Sequence, residues 1–333
     1  MHYKKITTAI FVIISLSNFS TMALTNSNNI SCNIPCPNNN TCPTNSQPVI
    51  AYTPPLKHYP FLPSCVGRDD LNNIVREKSV RENKNNSFAI AFYQPTYVMP
   101  YYYTVSPDYS AYQGKTPDNE VIRHQEIKYQ LSFKVPIWKN IYNYPSTLFL
   151  AYTQMSYWQA YSYTAFFRST DYQPEIFLAN ELNLRLPASW RLNFINVGAM
   201  HQSNGEGADL ERSWNRVYVK AIASRGNFMV SVMPWWIVHD QAYNRYNPGM
   251  ASFLGYGEVV TAYKFRQQVV SLSARNFLHY DGKRSSATLS YSFPITPYLN
   301  GYIQAFSGYG QSLIEYNHRT NSIGIGISLS NYI

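Results

Sequence analysis

The sequence is short of charge: Asp, Glu, Lys and Arg together make up 14% of its 333 residues. Soluble domains carry about 25%, so much of this surface is not built to face water. Long apolar runs are also missing. No segment after the first two dozen residues approaches the ~18 consecutive apolar residues of a membrane-spanning helix, which excludes a helical membrane protein. Cysteine does not occur beyond Cys65, and all four (Cys32, Cys36, Cys42 and Cys65) lie in the first fifth of the chain. Neither G-x-S-x-G nor H-E-x-x-H is present, so the soluble-lipase elbow and the zinc-peptidase helix find no support. The formal charge of +9 is dispersed along an exported chain, which gives no basis for nucleic-acid binding.

What the sequence has in excess is aromatic surface, 16% of residues, with Tyr alone accounting for 30 positions. Many tyrosines and little charge fit the aromatic girdles and uncharged outer wall of a transmembrane β-barrel. A Tyr-rich secreted β-sandwich is the alternative on composition alone. Residues 1–23 carry Lys4 and Lys5, an apolar run from Ile6 to Leu16 and a small residue at Ala23, the pattern of a secretory signal peptide. Its removal leaves 9 − 2 = +7. No cysteine follows closely, which argues against an amino-terminal lipid anchor. Residues 24–86 read as an exported extension and linker, rich in Asn, Pro, Ser and Thr to about residue 60 and then polar and charged, a short helix or loop. In an oxidising compartment its cysteines pair in one of three connectivities. A metal site is the alternative, but the spacing matches no common zinc pattern.

From Ser87 to Ile333 the period is two. Ile127, Tyr129, Leu131, Phe133 and Val135 alternate with Glu126, Lys128, Gln130, Ser132 and Lys134, one set for lipid and the other for a polar interior. Twelve such segments are centred near residues 95, 130, 152, 178, 195, 218, 232, 259, 271, 290, 303 and 327. Twelve is even, as single-chain bacterial barrels require, and closure leaves no unpaired edge in the bilayer. Short turns are expected at Pro136 to Tyr144 and Pro294 to Tyr298, and a longer polar loop at 239–250, the usual asymmetry between periplasmic and extracellular ends. The last segment, SIGIGISLSNYI, alternates up to the end as the closing strand. The predicted fold is an all-β, twelve-stranded antiparallel transmembrane barrel over residues 87–333.

One hairpin concentrates reactive groups. In HQSNGEGADLERSWNR (201–216), His201 and Ser203 are two apart, so on a strand they share a face and an imidazole can reach a hydroxyl. A hairpin symmetric about Ala208 sets Asn215 opposite His201, with Cβ atoms roughly 5 Å apart, where it can orient the ring. Ile195, Val197 and Ala199 share the register of His201 and Ser203; Val217, Val219 and Ala221 share that of Asn215. Gln202, Met200, Trp214 and Arg216 fall on the opposite side. On a barrel the apolar face meets lipid, so a nucleophile there meets lipid substrate directly. The blander readings are that Ser203 and Asn204 are turn residues and that Glu206, Asp209 and Glu211 are a solvated acidic loop.

With a signal, twelve strands, HQSNG and ERSWNR, the chain resembles the outer-membrane phospholipase A family from about Ser87 to Ile333. The likeness is densest there and in YTQMSYWQ (152–159), YQPEIFL (172–178) and FSGYGQSLIEYN (306–317). The resemblance implies a calcium-dependent phospholipase of the outer membrane, of A1/A2 type, acting on phospholipids and lysophospholipids. It implies Ser203 as nucleophile, His201 as base and Asn215 as the third member. It also implies calcium held by the Glu206 carbonyl, the side chain of Glu211 and the carbonyl of Thr164 from a second subunit, hence an active homodimer. Glu211 stands where the best-known pattern has a hydroxyl, and a carboxylate is also a hard oxygen ligand. Gln154 matches a glutamine that supports the oxyanion site, with an interior polar side chain as the other reading. Barrels of this type usually end in an aromatic, whereas this sequence ends Tyr332-Ile333, which bears on assembly more than on activity. His124, His239, His279 and His318 match no motif and read as interfacial or loop residues. The rival function is a non-catalytic barrel, a narrow pore or adhesin.

Overall fold

The structure is a computed structural model. It describes residues 90–333 apart from 142–143, 208–209, 240–242, 244–246, 248 and 279–281. The signal peptide, the extension with its four cysteines, Asp209 and His279 lie outside the described residues.

The strands are β1 (Ala91–Phe92), β2 (Tyr97–Thr104), β3 (Gln125–Lys139), β4 (Ser146–Gln159), β5 (Phe166–Arg185), β6 (Arg191–Ser203) and β7 (Ser213–Arg225). They continue as β8 (Phe228–Val238), β9 (Gly257–Phe265), β10 (Gln268–Arg275), β11 (Ser286–Thr296), β12 (Leu299–Tyr309) and β13 (Arg319–Ser328). Neighbours in sequence pair antiparallel, β13 pairs with β2, and β1 and β2 share one side of β3, so the sheet closes. Counting β1 and β2 as one interrupted position, the barrel has twelve strands, as the alternation predicts. The centre expected at 95 falls in the interruption, where Pro95 has no N–H for the ladder. Closure satisfies the backbone inside the sheet, the condition for crossing hydrocarbon.

Along β3 the burial runs opposite to that of a soluble sheet. Glu126 and Lys128 are 1% and 4% exposed, Ser132 and Lys134 are also buried, and Leu131 is 44% exposed with Phe133 beside it. The charged side chains point into the lumen and the apolar ones outward. Outer positions on the neighbouring strands repeat this with Leu150, Ile176, Val197, Val217 and Val232.

The two ends differ. One carries the short connections 140–145, 186–190, 226–227, 266–267 and 297–298; the other carries 105–124, 160–165, 204–212, 239–256, 276–285 and 310–318. Longer loops mark the extracellular end. Three expected boundaries move. β3 runs on to Lys139 and β11 to Thr296, with Pro136 and Pro294 absorbed at register shifts rather than opening the turns. The loop expected at 239–250 extends to 256 through a short helix, α2 (Met250–Leu254), the counterpart of α1 (Tyr109–Tyr112) in the first long loop.

The final segment is corrected more deeply. β13 stops at Ser328, and the chain then turns inward: Asn331 bonds Ser292, and Ile333 packs with Met229, Ala262 and Val269. Alternation continues to Leu329, but burying Tyr332 and Ile333 against an inner apolar cluster outweighs prolonging the ladder.

At the long-loop end the segment 310–316 is buried within the barrel. Arg168 ties it down, with Nε 2.7 Å from Glu126 and Nη1 2.7 Å from Glu315. Gln311 donates to Tyr102 and Ser322, and the Leu313 N–H donates to Asp171 at 3.1 Å. Residues 310–316 of the FSGYGQSLIEYN stretch are therefore a lumenal plug, while Phe306 to Tyr309 belong to β12. Below it lies a cavity of about 190 Å³ whose lining includes Lys128, Asp171, Glu175 and Arg216.

Candidate active site

β6 and β7 form the hairpin that positions the reactive groups. Their register pairs His201 with Asn215, Gln202 with Trp214 and Ser203 with Ser213. Side chains alternate between faces along a strand, so His201, Ser203 and Asn215 point outward beside Val197, Ala199 and Val217. Trp214, Arg216 and Met200 point inward and are buried.

His201 Nδ1 lies 2.8 Å from Asn215 Oδ1. An amide oxygen only accepts, so Nδ1 carries a proton, and in the neutral imidazole this leaves the lone pair on Nε2. Ser203 shares this outward face, and its Oγ accepts from the backbone N–H of Gly205 at 3.1 Å. Gly205 has φ +70°, and a Cβ built on it would stand 2.9 Å from the Tyr172 ring. A glycine is required there for both backbone conformation and space. Tyr172 is the residue paired with Ser203 across β5 and β6.

Gln154 pairs with Tyr172 across β4 and β5, so Gln154, Tyr172 and Ser203 form one row over three strands. Gln154 stands on the outer face with Leu150 and Trp158, not in the interior. Its Oε1 accepts from Tyr152 OH at 3.0 Å and its Nε2 donates to Ser156 at 3.2 Å.

The loop 204–212 is closed by Asn204, whose side chain is buried. Asn204 Nδ2 donates to the Leu210 carbonyl at 2.8 Å, and Oδ1 accepts from the N–H groups of Glu206 and Arg212 at 3.3 and 3.0 Å. Its own N–H donates to the Arg212 carbonyl at 3.0 Å. Glu206 is exposed and Glu211 half-buried. The Glu211 carbonyl accepts from Arg212 Nη1; its carboxylate bonds no described residue. Thr164 sits in the neighbouring loop at the same end. Its N–H donates to Glu120 at 3.0 Å and its hydroxyl to Asp118 at 2.9 Å. Among the described residues no group of three or more His, Cys, Asp or Glu is placed to hold a metal by itself. His124 and His318 bond backbone carbonyls at the long-loop end, and His239 stacks edge-on to Tyr243.

Two features escape sequence reasoning. Asn204 reads as an ordinary turn residue, although an Asn with three side-chain bonds is what a loop of this length needs to hold its shape. Gln202, Trp214 and Arg216 are legible as inward-facing, but their mutual contacts are not.

A family profile described as Phospholipase A1 matches residues 72–329. The chain is 34% identical over 252 residues to Phospholipase A1 of Klebsiella pneumoniae, covering 75% of this chain and 85% of that one; for the Escherichia coli K12 protein of the same name the identity is 34%, covering 75% and 84%. A Neisseria meningitidis relative is 38% identical over 248 residues, and the match spans 64% of its length. Among solved structures, outer membrane phospholipase A from Escherichia coli superposes with a TM-score of 0.69 at 33% identity, covering 75% of this chain and 95% of that one. The Salmonella typhi outer membrane phospholipase dimer with bound calcium gives a TM-score of 0.69 at 32% identity, covering 74% and 94%. This chain therefore belongs to the phospholipase A1 family and is a β-barrel phospholipase of the bacterial outer membrane.

Proposed function

We propose that Ser203 is the nucleophile, His201 the general base and Asn215 the orienting partner in hydrolysis of acyl esters of membrane phospholipids and lysophospholipids. The observation that carries this is the 2.8 Å contact of His201 Nδ1 with Asn215 Oδ1 on an outward strand pair, with Ser203 on the same face. In a barrel that face meets lipid, so ester carbonyls reach the hydroxyl without leaving the membrane.

His201 Nε2 takes the Ser203 proton as Oγ attacks the carbonyl carbon. The Gly205 N–H, already directed at Oγ, is a backbone donor beside the oxyanion that forms. Collapse expels the lysophospholipid oxygen, which takes the proton from His201, and leaves an acyl-serine. Water, deprotonated by the same imidazole, releases the fatty acid and restores Ser203. Asn215 holds the ring without adding negative charge.

The oxygens near this site suit calcium. The Glu211 carboxylate and the Glu206 carbonyl lie on one loop, engaged by no described hydrogen-bond donor, and both are hard ligands. They would hold the ion together with the carbonyl of Thr164 from a second copy of the chain. When bound, calcium would supply positive charge to polarise the ester carbonyl. One loop offers too few oxygens for an ion that prefers about six to eight, which is the reason for a dimer. The outer apolar residues beside Ser203, among them Ile176, Val197 and Val217, are the surface two barrels would bring together.

The test is hydrolysis of phospholipid by the purified barrel beside Ser203→Ala, with crosslinking across a calcium titration. Activity in the wild type that is lost in the variant, and dimer that rises with calcium, are expected. Equal hydrolysis by both refutes the nucleophile. A dimer fraction indifferent to calcium in both wild type and Glu211→Ala refutes the shared metal.

A further inference from the structure

The residue between His201 and Ser203 faces the opposite way. Gln202 is on the lumenal side, and its Oε1 accepts two bonds, from Trp214 Nε1 at 3.0 Å and from Arg216 Nη2 at 2.8 Å. The Arg216 guanidinium lies 3.9 Å from the Trp214 ring and 5.1 Å from that of Trp235, and the two indoles meet edge to face at 6.0 Å. Trp235 is anchored in turn by its Nε1, which donates to the Gly255 carbonyl at 3.0 Å. Trp214, Arg216 and Trp235 are all buried.

Arg216 is an expensive residue in this place. Among the described residues it forms no ion pair, and its buried Nε has no hydrogen-bond partner. Glu175 and Glu258 line the same cavity, but neither is in direct contact with the guanidinium, so its burial is offset chiefly by the contacts it does make. Those contacts converge on Gln202, on the indole paired across the hairpin with Gln202, and more weakly on Gln173 at 3.5 Å.

We propose that Gln202, clamped by Trp214 and Arg216, is the positioning residue that sets the separation of His201 and Ser203. This rests on Ser203 and His201 acting as nucleophile and base. Two side chains at i and i+2 of a strand are related through the backbone torsions of residue i+1, which here is Gln202. The need is local. Ser203 is the last residue of β6 and Ser213 the first of β7, and beyond them the backbone bond from Asn204 to Arg212 leads into the loop, so the site lies at the end of the ladder. On the outside His201 is exposed and is held by its single bond to Asn215. Rigidity reaches the two reacting groups from the lumenal side, through the side chain between them. A misplacement of about 1 Å between reacting groups costs on the order of 100-fold in rate, which a loosened strand end readily allows.

The experiment follows the rate at which a fluorophosphonate labels Ser203, together with kcat and KM on a monomeric thioester, in wild type, Gln202→Leu, Gln202→Glu and Arg216→Lys. Folding is followed separately by heat-modifiable gel mobility and the urea midpoint. Gln202→Leu removes the acceptor and is expected to lower labelling and kcat by about 10- to 100-fold with KM unchanged and the barrel folded. Gln202→Glu keeps an acceptor oxygen for both donors and recovers most of that loss, and Arg216→Lys falls between. A folded Gln202→Leu labelled at the wild-type rate overturns the positioning role alone. So does a loss that follows the urea midpoint and is not repaired by Gln202→Glu, because that is a structural contribution only. Should Gln202→Leu fail to fold, Arg216→Lys decides by the same criteria. Wild-type protein that is active but unlabelled at Ser203 overturns the nucleophile, and this role with it.

Discussion

The buried side chain of Asn204 accepts the backbone N–H of Arg212 at 3.0 Å and so closes the β6–β7 loop from within. Glu206 and Glu211 both lie inside the segment it closes. Asn204→Ala leaves two N–H groups and the Leu210 carbonyl without that partner, each a cost of about 1–3 kcal/mol where buried. The loop is expected to loosen while the barrel stays folded. If calcium is held on this loop as proposed, its concentration for half-maximal hydrolysis should rise about tenfold, by the ~1.4 kcal/mol per decade rule. An unchanged calcium requirement in a folded Asn204→Ala would show that the loop needs no such closure.

In the proposed mechanism Asn215 orients the imidazole and donates no charge to it. Asn215→Ala should therefore reduce kcat by roughly 10- to 100-fold, within what one positioned acid–base group contributes, and leave measurable turnover with KM little changed. The comparison is Ser203→Ala in the same assay. Loss as complete as in the serine variant would contradict this division of roles.

Gly205 meets two constraints at once, a left-handed φ of +70° and the face of the Tyr172 ring. Gly205→Ala should cost about 1–2 kcal/mol in backbone strain and, through the clash, shift its N–H away from Ser203. A sharp fall in kcat is expected. Gly205→Ala with Tyr172→Ala relieves the clash but not the torsion and should recover part of the loss. If the double variant is no better than the single one, the strain alone accounts for the glycine.

Arg168 joins Glu126 on β3 to Glu315 in the lumenal plug, all three nearly inaccessible. Removing one partner of a buried ion pair costs about 3–5 kcal/mol, because the remaining charges lose their counter-ion. Arg168→Met should lower the urea midpoint by an amount of that order and expose 310–318 to protease. Arg168→Met with Glu126→Gln and Glu315→Gln strands no charge and should be more stable than the single variant. Equal stability for wild type and Arg168→Met would mean that the plug is held by its other bonds.

The sequence by itself determined the barrel and the register of its reactive hairpin. Period-two alternation specifies which side chains face lipid, and a one-residue slip along β3 would turn Glu126, Lys128 and Lys134 into hydrocarbon. The symmetry of 201–215 about Ala208 sets His201 against Asn215 through local pairing alone. Where alternation is mixed, the sequence is silent on facing. Tyr152, Gln154 and Ser156 are no more apolar than Thr153, Met155 and Tyr157, and only pairing with strands whose parity is clear puts Gln154 on the outer row beside Tyr172 and Ser203.

Tertiary structure alone decided what fills the barrel. That 310–316 folds inward depends on Arg168, 147 residues before Glu315 in the chain, lying opposite it once the sheet has closed. That Tyr332 and Ile333 leave the ladder depends on an apolar cluster assembled from β8, β9 and β10. The clasp on Gln202 depends on Trp235, which reaches Arg216 only through the pairing of β7 with β8. In each case the partner is distant in sequence. Closure of the sheet creates the contact: for Arg168 and Gln202 it brings polar groups to complements that exist only inside the finished lumen, and for Tyr332 and Ile333 it assembles the apolar surface they bury.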